Sequence, residues 1–385
     1  MRRIYFDHNA TTPLDDQVVE AMFAVCRNEF GNASSVHYYG QRAKTALDAA
    51  RAAVADLIGA DAAEVVFTSG GTEADNLALR GAAAAADAGR RHLVTVGFEH
   101  EAVLNTVKSL ARAGWETTVL PPDGGGVVSP ERVREAITDR TGLVSVMHAN
   151  NEVGTVQPIA ELAAIAHESG ALFHSDMVQS AGKIPINVRT LGVDLASFSA
   201  HKLYGPKGVG ALWVRRGVRL MPVLTGGRQE RNRRPGTENV PGNVGFGVAA
   251  RVAAGRLAED SVRLIALRDR LEQGVLARVG AIDVNGARDA RVPNTSNISF
   301  AGVEAESLLI ALDLEGFAVS TGSACSSGTL EPSHVLKAMG LSSHRAQSSI
   351  RFSLGRGNTE QEVDALLEVL PGVVERLRSL APAVR

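Results

Sequence analysis

Seven short β-rich runs lie between residues 64 and 216, and they limit the possible folds of this chain more than any other feature. They are EVVFTSG (64–70), HLVTVG (92–97), TTVLP (117–121), GLVSVMHA (142–149), ALFHSD (171–176), LASFSA (195–200) and GALWVRR (210–216). The stretch TEADNLALRGAAAAAD (72–87), between the first two, reads as a helix. Continuous apolar strands separated by helices imply a mostly parallel sheet covered on both faces. The expected core is therefore a large α/β domain around a mostly parallel seven-stranded sheet. In such sheets ligands bind beyond the carboxyl ends of the strands. Polar residues gather at those ends: Ser69-Gly70-Gly71-Thr72, Asn150-Asn151, Asp176 and Ser199-Ala200-His201-Lys202.

After a helical stretch from about 243 to 279 the texture changes. AIDVNG, NTSNISFAG, FAVSTGS and SSIRFSLG alternate with helices near 304–314 and 359–380, which reads as a second, smaller α+β domain. A chain of 385 residues has room for both. Its formal net charge of −2 gives no global attraction to nucleic acid or an anionic membrane. No apolar run approaches the roughly 20 residues of a membrane helix, and MRRIYFDHNATT does not read as a signal peptide. Two cysteines, Cys26 and Cys325, and ten scattered histidines offer neither a disulfide framework nor metal-ligand spacing. A cytoplasmic protein with reduced thiols is expected, and Cys26, in the helical run DDQVVEAMFAVCRNEF, reads as a small core residue.

Several residues at the strand ends have both a structural and a chemical reading. A lysine is usually a solvated surface charge, but Lys202 closes an apolar strand beside His201 and Ser199. That place suits an amine that must be partly desolvated to act as a nucleophile toward a carbonyl. Asp176 reads as a turn aspartate or as a carboxylate held against the ring nitrogen of pyridoxal phosphate. Gly71 and Thr72 form either a simple helix cap or an anion site at a helix start, of a size for one phosphate. His100, between a strand and a helix, is structural or moves protons near neutral pH. Arg351, mid-strand in SSIRFSLGR, pairs at the surface or recognises a carboxylate in a cleft. Cys325 stands in STGSACSSG, where little apolar mass is present to bury a thiol.

Taken in order, Thr72, His100, Asn151, Asp176, Gln179, Ser199-His201-Lys202, Cys325 and Arg351 resemble the NifS/IscS-like cysteine desulfurases, a group I branch of the fold-type I pyridoxal-phosphate enzymes. The resemblance runs from YFDHNATTPLD through FGNASSVHYYG, TSGGTEADNLA, HANNEVGTVQPI, HSDMVQSAGKIPI, SAHKLYGPKGVGAL, RNRRPGTENV and STGSACSSGTLEPSHVL to SSIRFSLGR. It implies a large domain over 15–255, and a small one over 1–14 and 256–385 that carries a mobile cysteine loop at about 320–332. It implies pyridoxal 5′-phosphate as cofactor, joined to Lys202, with Asp176 on its ring nitrogen, Gln179 on its ring hydroxyl and His100 stacked on the ring. Gly71, Thr72, Ser199 and His201 would hold the phosphate, helped by Thr237 from the other protomer of a homodimer. Asn151 would contact cofactor and substrate, and Arg351 the substrate carboxylate. Cys325 would take sulfur from L-cysteine, leaving alanine, and pass it as a persulfide to an iron–sulfur scaffold or tRNA-thiolation enzyme. An aminotransferase or a selenocysteine lyase of the same fold is the alternative. The family's usual proline in GNPSS is Ala33 here, and its Asp-Ala-x-Gln reads Asp176-Met177-Val178-Gln179; neither change removes a reacting group. The sequence ends at SLAPAVR, where relatives carry a scaffold-docking extension, so the acceptor is left open.

Overall fold

The structure is a computed structural model that describes residues 3–322 and 332–380. In chain order its strands are β1 (Ile4–Tyr5), β2 (Val65–Thr68), β3 (His92–Val96), β4 (Glu116–Leu120), β5 (Thr141–Ser145), β6 (Leu172–Asp176), β7 (Leu195–Ser199) and β8 (Gly210–Val214). They continue with β9 (Ile282–Asn285), β10 (Thr295–Phe300), β11 (Phe317–Ala318) and β12 (Ser349–Ser353). The main sheet has seven strands in the order β2-β8-β7-β6-β5-β3-β4. The pairs from β4 to β7 are parallel, whereas β8 runs antiparallel to both β7 and β2. The mostly parallel sheet read from the sequence is the one observed.

Successive side chains along these strands enter different cores, which is why the strands are apolar without interruption. Val65 and Phe67 join one cluster and Val66 another; Val144 and Leu143 divide in the same way, as do Val94 and Leu93. Helices cover both faces. The helix Gly71–Ala85 supplies Leu77 and Leu79 to the second cluster, and Tyr38–Ile58 supplies Leu47, Val54 and Ile58 to the first. Each fully buried Val or Leu contributes about 1.5–3 kcal/mol. The helix Tyr38–Ile58 was not read from the sequence. Its buried face is built largely of alanine (Ala43, Ala50, Ala53), which gives a weak apolar signal but permits close packing. At Gly247 on the crossing helix, an added Cβ would lie 2.6 Å from Ala50 Cα, so only glycine fits there.

A second core forms between β10, β12 and the C-terminal helix Glu360–Leu380, with Phe6, Ile298, Phe300, Ile350, Phe352, Leu366 and Leu370 inside. Strands β9-β10-β12 are antiparallel, and β1 pairs with β11 beside them. The helix Val240–Arg278 joins the two cores, burying Phe246, Ala249 and Ala253 in the first and Leu264, Leu271 and Val275 in the second. We propose that the two cores are the large domain (15–255) and the small domain (1–14 and 256–385), divided inside this helix. One piece of the second range crosses back: Val335, Leu336 and Met339 pack on the first core. One expectation is corrected. Cys26 is exposed, because the helix Asp16–Asn28 turns Val18 and Val25 inward and the next position faces solvent.

Candidate active site

The carboxyl ends of β6 and β7 and the start of the helix Gly71–Ala85 meet around one cavity of about 390 Å³. Its walls bring together Gly71, Thr72, His100, Asn151, Asp176, Gln179, Ser199, His201, Lys202 and Arg351. Two sequence-expected residues stand apart. Thr237 lines a separate hollow with Cys26 and Phe30. Cys325 lies outside the described residues, but both flanks of its segment, Ser320 and Gly322 on one side and His334 on the other, are on the cavity wall.

Lys202 is placed by a single 3₁₀ turn, Ala200–Lys202, that follows β7 directly. Its Nζ donates to the main-chain carbonyls of Asn9 at 2.5 Å and Ala10 at 2.7 Å. Burial and the nearby Arg351 cation lower its pKa to about 8. At pH 7 roughly one amine in ten is then neutral, against about one in 3,000 for an ordinary lysine. Only the neutral amine attacks a carbonyl carbon.

At the opposite wall Asp176 ends β6, buried, with Oδ1 accepting from Val178 N at 2.9 Å. Two further buried carboxyls, Asp75 and Glu99, share its surroundings. Glu99 Oε1 accepts from Met147 N, while Glu99 Oε2 and Asp75 Oδ1 have no hydrogen-bond partner. Burial raises the pKa of all three. Repulsion from Asp176 adds to the rise for Asp75 and Glu99, and the His100 and Lys202 charges partly oppose it for Asp176. The histidines beside this group do not compensate. Burial lowers His174 to about 3 and His148 to about 4, so both are neutral near pH 7.

His100 caps the helix Glu101–Arg112, its Nδ1 accepting from Ala102 N at 3.1 Å. In the neutral ring the proton therefore sits on Nε2. At the third wall, no side chain caps the start of the helix Gly71–Ala85. Its free N–H groups and dipole favour an anion. A second hollow of about 440 Å³ opens from this corner, lined by Ser69, Gly70, Thr72, Ser199, His201 and Lys207 among others. His201 is held neutral, its pKa lowered to about 4 by burial and the adjacent lysines, with Nδ1 3.1 Å from Thr11 Oγ1.

Arg351 projects from β12 and is nearly inaccessible to solvent. Its Nη2 donates to Asp7 Oδ1 at 2.6 Å and its Nη1 to Asn151 O at 2.9 Å, and its buried Nε has no partner. Main-chain bonds between Arg351 and Ser320 tie the entry of the cysteine segment to this strand. Its return is tied by Ser333 Oγ, which donates to Glu152 Oε2 at 2.5 Å. The sequence reading did not single out Asn9, Asp75, Glu99, Glu152, Lys183 or His334. Asn9, Asp75, Glu152, Lys183 and His334 stood inside quoted motifs, such as YFDHNATTPLD, TSGGTEADNLA and HSDMVQSAGKIPI, without an assigned role. Asp75 and Glu99 gave no signal apart from position, because unpartnered burial is invisible in sequence.

Pyridoxal phosphate fits these walls on three counts. The uncapped helix start suits its phosphate, the carboxyl cluster at Asp176 suits a protonated ring nitrogen, and the desolvated Lys202 amine suits its aldehyde. The comparisons agree. The pattern of the family described as aminotransferase class-V matches residues 4–366. The chain is similar to the protein named cysteine desulfurase IscS from Dictyoglomus turgidum, 48% identical over 99% of this chain and 97% of that one. It is similar also to the protein of the same name from Anaeromyxobacter dehalogenans, 52% identical over 98% and 94%. Among solved structures it is similar to one titled NifS-like protein, with a TM-score of 0.92 and 39% identity over 97% of this chain and 100% of that one.

The Lys202 environment generates a pH prediction. The rate at which cofactor-free protein takes up pyridoxal phosphate should rise with pH and level off above about 8, as the neutral amine becomes the main form. Stopped-flow absorbance checks this. A rate that still climbs about tenfold per pH unit at pH 10 would mean that Lys202 titrates as an ordinary lysine.

Proposed function

The chain belongs to the class-V aminotransferase family of fold-type I pyridoxal-phosphate enzymes, and we propose that within it this protein is a cysteine desulfurase. The observation that carries the reading is the cavity. A desolvated lysine, a cation-seeking carboxyl group, an anion-binding helix start and a carboxylate-binding arginine share one space, with both flanks of the Cys325 segment on its wall.

Gly71, Thr72, Ser199 and His201 would hold the cofactor phosphate, Asp176 its ring nitrogen, Gln179 its ring oxygen and His100 its face. Once bound, the cofactor supplies an electron sink for the charge left when bonds at the substrate's α-carbon break. The chain's own residues do the rest. Arg351 and Asn151 orient the carboxylate of L-cysteine, and the neutral Lys202 amine takes and returns the proton at its α-carbon. Cys325, as thiolate, attacks the substrate sulfur. The new S–S bond forms as the C–S bond breaks, and the electron pair of that bond stays with the carbon skeleton. After protonation that skeleton leaves as alanine, and Cys325 holds a persulfide. His100 lines the cavity and would take a thiol proton at Nε2 once its own proton moves to Nδ1, away from the present contact with Ala102 N.

A homodimer completes this reading. Thr237 lies away from the cavity of its own chain, where it can serve a second copy. Phe30 shares its hollow and is 75% exposed. The Tyr39 ring lies 4.9 Å from that of Phe30 and the Tyr38 ring 5.4 Å from that of Tyr39. An exposed aromatic cluster of this kind marks an interaction surface. Sedimentation that finds turnover in a monomer would remove the shared site. The acceptors of the persulfide are proteins of iron–sulfur assembly or tRNA thiolation, and the place of action is the cytoplasm. Among the described residues no helix is long and apolar enough to cross a membrane.

The test is Cys325→Ser. It should keep its cofactor and bind cysteine, yet release less than about one hundredth of the parent's alanine, since a hydroxyl is far less nucleophilic at neutral pH. Alanine and sulfide measured together decide it. Undiminished alanine from the variant would move the protein to a lyase or aminotransferase.

A further inference from the structure

A second lysine stands behind the cavity wall, unused by the chemistry above. Lys183 follows Gln179 by four residues in the turn after β6. Its Nζ donates to Gln179 Oε1 at 2.7 Å and to Asn9 Oδ1 at 2.8 Å. Burial and the Lys202 and Arg351 cations push its pKa well below the ordinary lysine value. Even uncharged, an amine keeps two N–H bonds, the number this geometry uses.

Both acceptors are side-chain amides, which have an oxygen on one side and an N–H donor on the other. A lysine that donates to both oxygens settles which way the Gln179 amide faces and shares that task at Asn9 with Asn294 Nδ2, which donates to the same oxygen at 3.1 Å. Gln179 Nε2 is turned to donate to Asn9 O at 3.0 Å, the same carbonyl that receives Lys202 Nζ. Asn9 Nδ2 is turned to donate to Asn151 O at 3.1 Å and to Thr295 Oγ1 at 2.8 Å. The Asn9 main-chain N–H donates to Ser353 Oγ on β12, the strand of Arg351. Asn9 and Gln179 are buried, so no water replaces a lost partner cheaply.

We propose that Lys183 is a positioning residue: by fixing the orientation of the Gln179 amide and bracing that of Asn9, it aligns the Lys202 amine, the Gln179 N–H group and Asn151 along one wall of the site. The proposal rests on the reading of the cavity as a pyridoxal-phosphate site. Without Lys183 the Gln179 oxygen loses its donor and that amide can turn over, placing an oxygen where the cofactor's ring oxygen needs a donor, while Asn9 Oδ1 keeps Asn294 Nδ2 but loses one of its two donors.

The test uses the full-length holoenzyme and four variants: Lys183→Met, Lys183→Arg, Gln179→Met and the double Lys183→Met/Gln179→Met. Lys183→Met should retain its cofactor within about twofold, yet shift the near-visible absorbance of the bound cofactor and lower kcat roughly tenfold. The double variant should lose no more than about twofold beyond Gln179→Met alone, because both act through one contact. Lys183→Arg, which keeps the donors, should recover most of the loss. Parent-like absorbance and kcat in Lys183→Met, or losses that multiply in the double variant, would overturn the proposal. If Lys183→Met does not fold, Lys183→Gln is measured in its place; a folded Lys183→Gln with parent absorbance and kcat also overturns it. Failure of the desulfurase reading is separate, since it appears as a parent that yields no alanine from cysteine.

Discussion

The removal of the Lys202 amine from water is the constraint around which the site is arranged. An ammonium in bulk solvent cannot attack a carbonyl. Here the end of β7 carries the side chain into a wall where, among the described residues, two main-chain carbonyls, from Asn9 and Ala10, receive it. Those carbonyls come from a segment anchored in the second core, where β1 is fixed beside β11 and Phe6 is buried, and tied to the lysine turn by Thr12 N and Oγ1, which donate to His201 O. The reactive lysine of one core is thus seated by a segment anchored in the other. The long helix Val240–Arg278, packed through Gly247 on one side and Leu271 on the other, keeps the two cores in register.

The electrostatics divide the cavity by sign. Neutral His201 and an uncapped helix start form a corner whose free N–H groups favour an anion. Three buried carboxyls, with neutral His148 and His174 nearby, form a corner that demands positive charge. Two unpartnered carboxyl oxygens in a core are costly, on the order of 1–3 kcal/mol each. Such a cost is stored where a ligand of the right charge can relieve it. Arg351 then gives the third sign change. It is already bound to Asp7, so in the proposed reading a substrate carboxylate would meet an arginine whose direction is set in advance.

The sheet was legible because its strands are buried on both faces and so carry runs of apolar residues with little interruption. The strand-end residues were legible for the same reason, since a polar residue that closes an apolar run has few structural uses. Lys202, Asp176 and Thr72, each read from the sequence as either structural or chemical, all stand on the cavity wall. Helix Tyr38–Ile58 was not, because alanine packs well without a strong hydrophobic signature. Cys26 was misplaced because one helical position, about 100° of rotation, separates it from buried Val25. Lys183 was missed for a different reason. Its value comes from two acceptors, one of them 174 positions away in sequence, and no local pattern records that meeting.

The two lysines also supply the most direct check on the central claim that desolvation selects Lys202 as the cofactor's attachment point. Both amines lie against Asn9, Lys202 on its carbonyl and Lys183 on its side chain, and burial lowers both. Lys183 is occupied by two buried amides, whereas Lys202 opens on the cavity. Borohydride reduction of the holoenzyme followed by peptide mass spectrometry should find the pyridoxyl group on Lys202 alone. Its appearance on Lys183, or on any other lysine, would contradict the account.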